Sequence, residues 1–245
     1  MKLYLHCAEC VRDGPVPDLT TYPADVPDDN RVDLTCRHGH HSVVILYDDK
    51  HDLLFDSGAS ALHDGYPREA VASFAASVER FYEYATKIMA TGCSVSEKEL
   101  EGAWKGISSQ SERQLGAFRF TYLIAFKQVA PVLPNKSVEF RNSVIHRGVF
   151  PSEPAATDYG ETCLEHMKII TLRLRHQYAN AIRLRGDAQS EAVNASAPEK
   201  PRMLSCGRAL LNKRWRGLAG RSRFGNGFKI NAVMRSFTSV GKPES

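Results

Sequence analysis

The apolar spacing between Tyr66 and Ile88 restricts the fold of this 245-residue chain more than any other feature. Tyr66, Ala70, Phe74, Val78, Phe81, Ala85 and Ile88 recur every three or four residues, while Arg68, Glu69, Glu79, Arg80 and Glu83 fill the positions between. That is the period of an α-helix with one face in a core and the other in water. The helix is predicted to open at Asp64, with Pro67 accommodated in its first turn. So wide an apolar face needs other helices to cover it, and the following sequence supplies candidates. Ser96 to Gly106 carries a capping pattern, Ser96 with Glu99. Ser111 to Ala130 is apolar at Leu115, Phe118, Tyr122, Leu123, Phe126 and Val129, and Pro131 and Pro134 stop it. A last long helix is predicted from Ser152, with Ala156, Tyr159, Cys163, Met167, Ile170, Leu174, Tyr178 and Ile182 along its inner side. The expected fold class is therefore mainly α, a helical bundle over residues 59–186.

Ahead of the bundle stands a segment of different character. Cys7-Ala-Glu-Cys10 is followed by a Pro- and Asp-rich loop and then by Cys36-Arg-His-Gly-His40-His41, which runs into Ser-Val-Val-Ile-Leu-Tyr. Two knuckles leading into a β-rich run are laid out like a zinc ribbon. Three thiolates and an imidazole suit a tetrahedral Zn²⁺ ion in a closed, structural role. Cys7, Cys10 and Cys36 are the expected sulfur ligands; His40 completes the set on the Cys-x-x-Gly-His spacing, with His38 and His41 as rivals. Residues 1–58 form this small unit, in which Asp52 to Gly58 reads as a strand or short connector and His51 as a surface residue. A segment this small has too little core to fold unaided, so a bound ion would act as a staple.

Residues 137–150 place Arg141 and His146 at the end of a helix whose apolar residues are Phe140, Val144 and Ile145, with Gly148 and Pro151 stopping it. A guanidinium grips phosphate with a planar fork of donors, and an imidazole moves protons near neutral pH. An ordinary structural role for Arg141 would be a helix-end contact or an ion pair with Glu139 or Glu161. The order Arg141, Asn142, three residues, His146, ahead of a final long helix, resembles the signature of the HEPN superfamily of helical-bundle ribonucleases and nucleotide-binding modules. The run Gly65-Tyr-Pro-Arg-Glu-Ala-Val71 with Phe74, Glu79, Arg80, Phe81 and Tyr82 resembles the first helix of that fold. The resemblance spans residues 61 to about 186. It implies a metal-independent endoribonuclease in which His146 moves the proton of a ribose 2′-hydroxyl or of the leaving 5′-oxygen, Arg141 stabilises the phosphorane-like charge, and Asn142 orients them. It also implies RNA as partner, a homodimer with paired motifs, and a setting in toxin systems or antiviral defence, with any protein partner or antitoxin left open. The alternative is a non-catalytic RNA- or nucleotide-binding module presenting its zinc ribbon.

Charge divides the chain further. From Pro198 onward eleven Lys or Arg face only Glu199 and Glu244, so +9 of charge lies in the tail and the preceding part carries about −5 against the net +4. After Gly186 a stretch rich in Ala, Ser and Asn reads as a linker, and residues 187–245 as linker plus a basic, poorly structured tail. No apolar run approaches a membrane span, and six cysteines are too few for a disulfide scaffold. A cytoplasmic protein with reduced thiols is expected. No carboxylate pair or nucleophile elbow offers a rival chemistry; Ser57 in Asp-Ser-Gly lacks the flanks.

Overall fold

The computed structural model describes residues 2–12, 18–25, 28, 31–46, 48–196 and 202–203. The chain is mainly helical, with two small sheets near its start. Strand β1 (Lys2–His6) runs through Cys7 into a one-turn helix α1 (Ala8–Arg12), and β1 pairs antiparallel with β2 (Thr21–Asp25). Strands β3 (Arg31–Thr35) and β4 (His41–Ile45) form an antiparallel hairpin around the second knuckle. Inward residues alternate along β3, Val32 and Leu34 being buried, as a half-covered strand requires. Leu5, Ala24, Val32, Leu34, Val44 and Leu46 close over Cys7, Cys10 and Cys36 in a small core.

Helix α2 (Lys50–His63) occupies the stretch read from sequence as a connector. The correction has a clear cause. Leu53-Leu54-Phe55 is a short apolar run that has no period of its own, and the helix is defined by what it touches. Leu53 enters the small core, while Phe55, Ala59 and Leu62 enter the large one. The boundary expected at residue 58 thus falls inside the element that joins the two.

The bundle is built on α3 (Pro67–Gly92), whose buried face includes Ala70, Phe74, Val78, Phe81, Ala85 and Ile88 as its periodicity predicts. Tyr66 is the exception: it is the N-cap and is exposed. Helix α4 (Glu97–Lys105) starts on the expected cap, the Glu99 amide donating to Ser96 Oγ at 3.3 Å. Helix α5 (Ser111–Phe126) ends four residues earlier than expected, at a left-handed Lys127 with φ 54°. Val129, beyond that end, faces solvent instead of the core, and Leu123, within the helix, is exposed too. Helix α6 (Asn135–His146) carries the Arg–His motif, and α7 (Glu153–Ser196) kinks at Tyr178, whose φ −126° and ψ 31° are not helical. Helix α7 runs through Gly186 to Ser196, so the predicted linker begins as helix; beyond it only Arg202–Met203 (β5) is described, paired parallel with β4. The rest of the predicted basic tail lies outside the described residues.

Phe74 marks the closest packing. A Cβ at Gly58 on α2 would stand 2.6 Å from its ring, and one at Gly160 on α7 would stand 2.7 Å from it. Two helices therefore approach α3 at glycines, gripping one buried aromatic ring from two sides. Among the described residues, no helix is long and apolar enough to cross a membrane.

Candidate functional site

The two knuckles meet. Cys7 precedes the α1 turn and Cys10 lies within it, and Val11 N–H donates to the Cys7 carbonyl at 3.1 Å. The second knuckle is tied by Cys36 N–H to the His40 carbonyl and Gly39 N–H to the Cys36 carbonyl, each 3.0 Å, with Gly39 at φ 81°. That left-handed corner suits glycine, which has no Cβ to strain it. One donor atom from each of Cys7, Cys10, Cys36 and His40 lies within 4.8 Å of the others. The individual separations are Cys10 Sγ–Cys36 Sγ 3.6 Å, Cys7 Sγ–His40 Nδ1 3.8 Å and Cys10 Sγ–His40 Nδ1 3.3 Å. Sulfur at about 2.3 Å and nitrogen at about 2.0 Å from a tetrahedral ion stand roughly 3.4–3.8 Å apart. The four residues are close enough to hold a metal ion, and the donor set is compatible with zinc.

The rivals for the fourth position separate cleanly. His38 Nδ1 lies 3.4 Å from Cys10 Sγ but belongs to a different group, with Asp18, and Arg37 Nε donates to its other nitrogen at 3.2 Å. His41 begins β4 and is exposed. His40 faces two of the sulfurs through Nδ1, and its Nε2 stands 3.9 Å from the Glu9 carboxylate, within ion-pair range but too far for a hydrogen bond. Glu9 was not singled out by sequence, although it sits inside the first knuckle. Burial, followed by the neighbouring Cys36 and Cys7 thiols, pushes Cys10 up to about 12. Burial opposes ionisation of Cys36 as well, but backbone N–H groups of His38 and His40 outweigh it and bring that thiol down to about 7. Packed thiols cannot all ionise together without a cation among them.

Arg141 and His146 lie on α6 and occupy different environments. Val144 is fully buried and anchors the helix. An ideal helix sets Arg141 about 60° and His146 about 160° from that anchor, and the two about 140° apart around the axis. Arg141 is accordingly half-buried and His146 exposed. Phe140 packs partly against the core, its ring 5.6 Å from that of Tyr159. Among the described residues Arg141 has neither a hydrogen bond nor an ion pair, and so neither Glu139 nor Glu161 neutralises it. Its charge acts on Tyr82, Tyr159 and Cys163, opposing the upward push that burial exerts on all three; Cys163 still reaches about 12.

No protein-family model, curated protein or solved structure matches this chain.

A buried polar pair lies inside the bundle, where apolar periodicity gave no signal of it. Tyr82 Oη and His166 Nε2 share a hydrogen bond of 2.9 Å, and Phe118 stacks on the Tyr82 ring at 4.6 Å. Burial brings His166 down to about 4, so it is neutral at physiological pH. Asn142 is half-buried beside Arg141 on the same helix.

Proposed function

We propose that this protein is a zinc-stapled helical-bundle ribonuclease. Zn²⁺ held by Cys7, Cys10, Cys36 and His40 would supply the small N-terminal core with the cohesion its few apolar residues do not, and its closed coordination assigns it no catalytic step. Arg141 binds the scissile phosphate and stabilises its transition-state charge. His146 transfers the proton at the ribose 2′-hydroxyl or at the leaving oxygen, and Asn142 orients the phosphate.

The observation that carries the RNA reading is the half-buried Arg141, which has no acceptor among the described residues. A guanidinium partly removed from water normally has a carboxylate or carbonyl to satisfy it, and one without such a partner is suited to an incoming anion. His146, open to solvent at the end of the same helix, offers the proton-transfer group. Because the two residues flank α6 instead of sharing one face, and one imidazole cannot serve as both base and acid in one step, a complete site calls for two copies of α6 across a two-fold axis. The HEPN resemblance of Arg141, Asn142 and His146 points the same way, toward RNA as substrate and a homodimer. Toxin and antiviral-defence settings belong to that resemblance. The non-catalytic alternative, an RNA- or nucleotide-binding module, keeps the role of Arg141 and drops that of His146.

The test is to incubate labelled single-stranded RNA with wild type, His146→Ala and Arg141→Ala in buffer free of added divalent ions. The expected result is product ends bearing cyclic phosphate, absent with either variant, while His146→Ala retains RNA binding. RNA bound but never cut by wild type would leave the binding module; no RNA binding at all would overturn both.

A further inference from the structure

A separate cluster of metal-type ligands lies at the start of α2, beyond the second cysteine knuckle in the chain. Donor atoms of Asp49, His51 and Asp52 all fall within 4.8 Å of one another. Two carboxylates at a helix start ordinarily have a simpler explanation, since they cap the helix and complement its dipole. That explanation fails at Asp49. It is the N-cap residue, yet its side chain accepts no capping hydrogen bond.

His51 supplies the independent observation. Its side chain is only 10% exposed, and among the described residues neither ring nitrogen makes a hydrogen bond: Nδ1 is buried without a partner there, and Nε2 stands 3.7 Å from Asp52 Oδ1. That distance is too long for a hydrogen bond, whereas two ligands each about 2.1 Å from one ion stand roughly 3–4 Å apart. The ring is also fixed in place. It packs against Phe81 at 5.2 Å and Tyr84 at 4.9 Å, and Ser77 Oγ donates to the His51 carbonyl at 2.7 Å. A buried imidazole held in place with Nε2 toward the Asp52 carboxylate, and with no hydrogen bond to occupy that nitrogen, is free to bind a cation there.

Charge around the cluster favours a cation on balance. Asp48 is buried beside it, and burial, with Asp52 and Asp48 adding to it, pushes the Asp49 carboxyl upward against the pull of His51 and Arg185. Arg185 is committed to Glu97, donating to both carboxylate oxygens at 3.2 and 3.3 Å. Arg175 also bears on this region, through Tyr84, and Lys50, between Asp49 and His51 in the chain, pairs with Asp28 at 3.1 Å.

We propose that Asp49, His51 and Asp52 form a second cation site that takes a divalent first-row ion of the Mn²⁺ type through two carboxylates and one imidazole, with water in the remaining positions. Mixed oxygen and imidazole donors favour such an ion, and the all-thiolate-and-imidazole site upstream favours zinc. The site sits where α2 passes from the small core, at Leu53, to the large one, at Phe55. An ion there rivets the seam between them. This inference is independent of the ribonuclease reading.

The experiment is a Mn²⁺ titration of the full chain, already loaded with one equivalent of zinc, followed by electron paramagnetic resonance. Wild type should take up one Mn²⁺ and show coupling to a directly bound imidazole nitrogen. His51→Gln should lose that coupling. Asp52→Asn, a near-isosteric change at a half-exposed position, should weaken binding by more than about 100-fold, beyond the roughly 10–100-fold that loss of an outer-shell partner costs. The proposal is overturned if wild type binds no Mn²⁺ beyond what Asp52→Asn binds, or if bound Mn²⁺ shows no nitrogen coupling in wild type, a reading that does not depend on any variant folding.

Discussion

The two cores of this protein are made of different materials. The bundle buries Phe55, Phe74, Phe81, Tyr82, Phe118, Tyr122 and Tyr159 along with many aliphatic residues, and its helices close on glycines where they need to come near. Among the described residues the N-terminal core buries no aromatic residue, and Cys7, Cys10 and Cys36 are three of its ten buried members. Apolar burial contributes about 1.5–3 kcal/mol per large side chain. The first core can be held by that alone; the second is so small that a metal ion on its thiols and His40 would add the cohesion it lacks.

The largest effect that separates the two is expected at the knuckles. Structural zinc is worth on the order of 10 kcal/mol to peptides of this kind, so Cys36→Ser should unfold β1 to β4 while α3 and α7 persist. Hydrogen exchange read by mass spectrometry should show amides of residues 31–46 unprotected and those of residues 70–89 still slow. Loss of protection in both would mean that α2 couples the cores into one cooperative unit.

Within the bundle, Phe74→Ala should cost about 3–5 kcal/mol by denaturant unfolding, because the ring is fully buried between Gly58 and Gly160. Acid offers a subtler contrast. His166 is held at about 4 in the fold against about 6.5 in the unfolded chain, so the unfolded state binds the extra proton. Stability from this group is complete above pH 6.5 and is lost as pH falls toward 4, by up to about 3 kcal/mol. His166→Gln should flatten that part of the pH profile of the bundle's unfolding. The smallest of these effects is at the α4 start, where Ser96→Ala should lower stability by about 1 kcal/mol through the lost cap.

How much of this was legible in sequence follows from the kind of signal each feature leaves. The buried face of α3 and the inner side of α7 are written as three- and four-residue spacing, and they appear as read except at Tyr66, which is exposed, and at Tyr178 and Ile182, which are only partly buried. Cysteine spacing put Cys7, Cys10, Cys36 and His40 on one list, and the fold brings them to one point. Helix α2 was missed because Gly58 looks like punctuation until the ring of Phe74 is seen against it. His51, read as a surface residue, is buried, as are Tyr82 and His166, whose hydrogen bond leaves no trace in an apolar period. Polar groups inside a core are specified by partners distant in sequence. Spacing cannot reveal them.

X-ray absorption at the zinc edge of the purified full chain tests the contrast between the two cores most directly. The account predicts one zinc per chain with three sulfurs at about 2.3 Å and one nitrogen at about 2.0 Å, and loss of the sulfur shell in Cys10→Ser. A protein that binds no zinc while residues 31–46 remain protected, or zinc ringed only by oxygen and nitrogen, would contradict it.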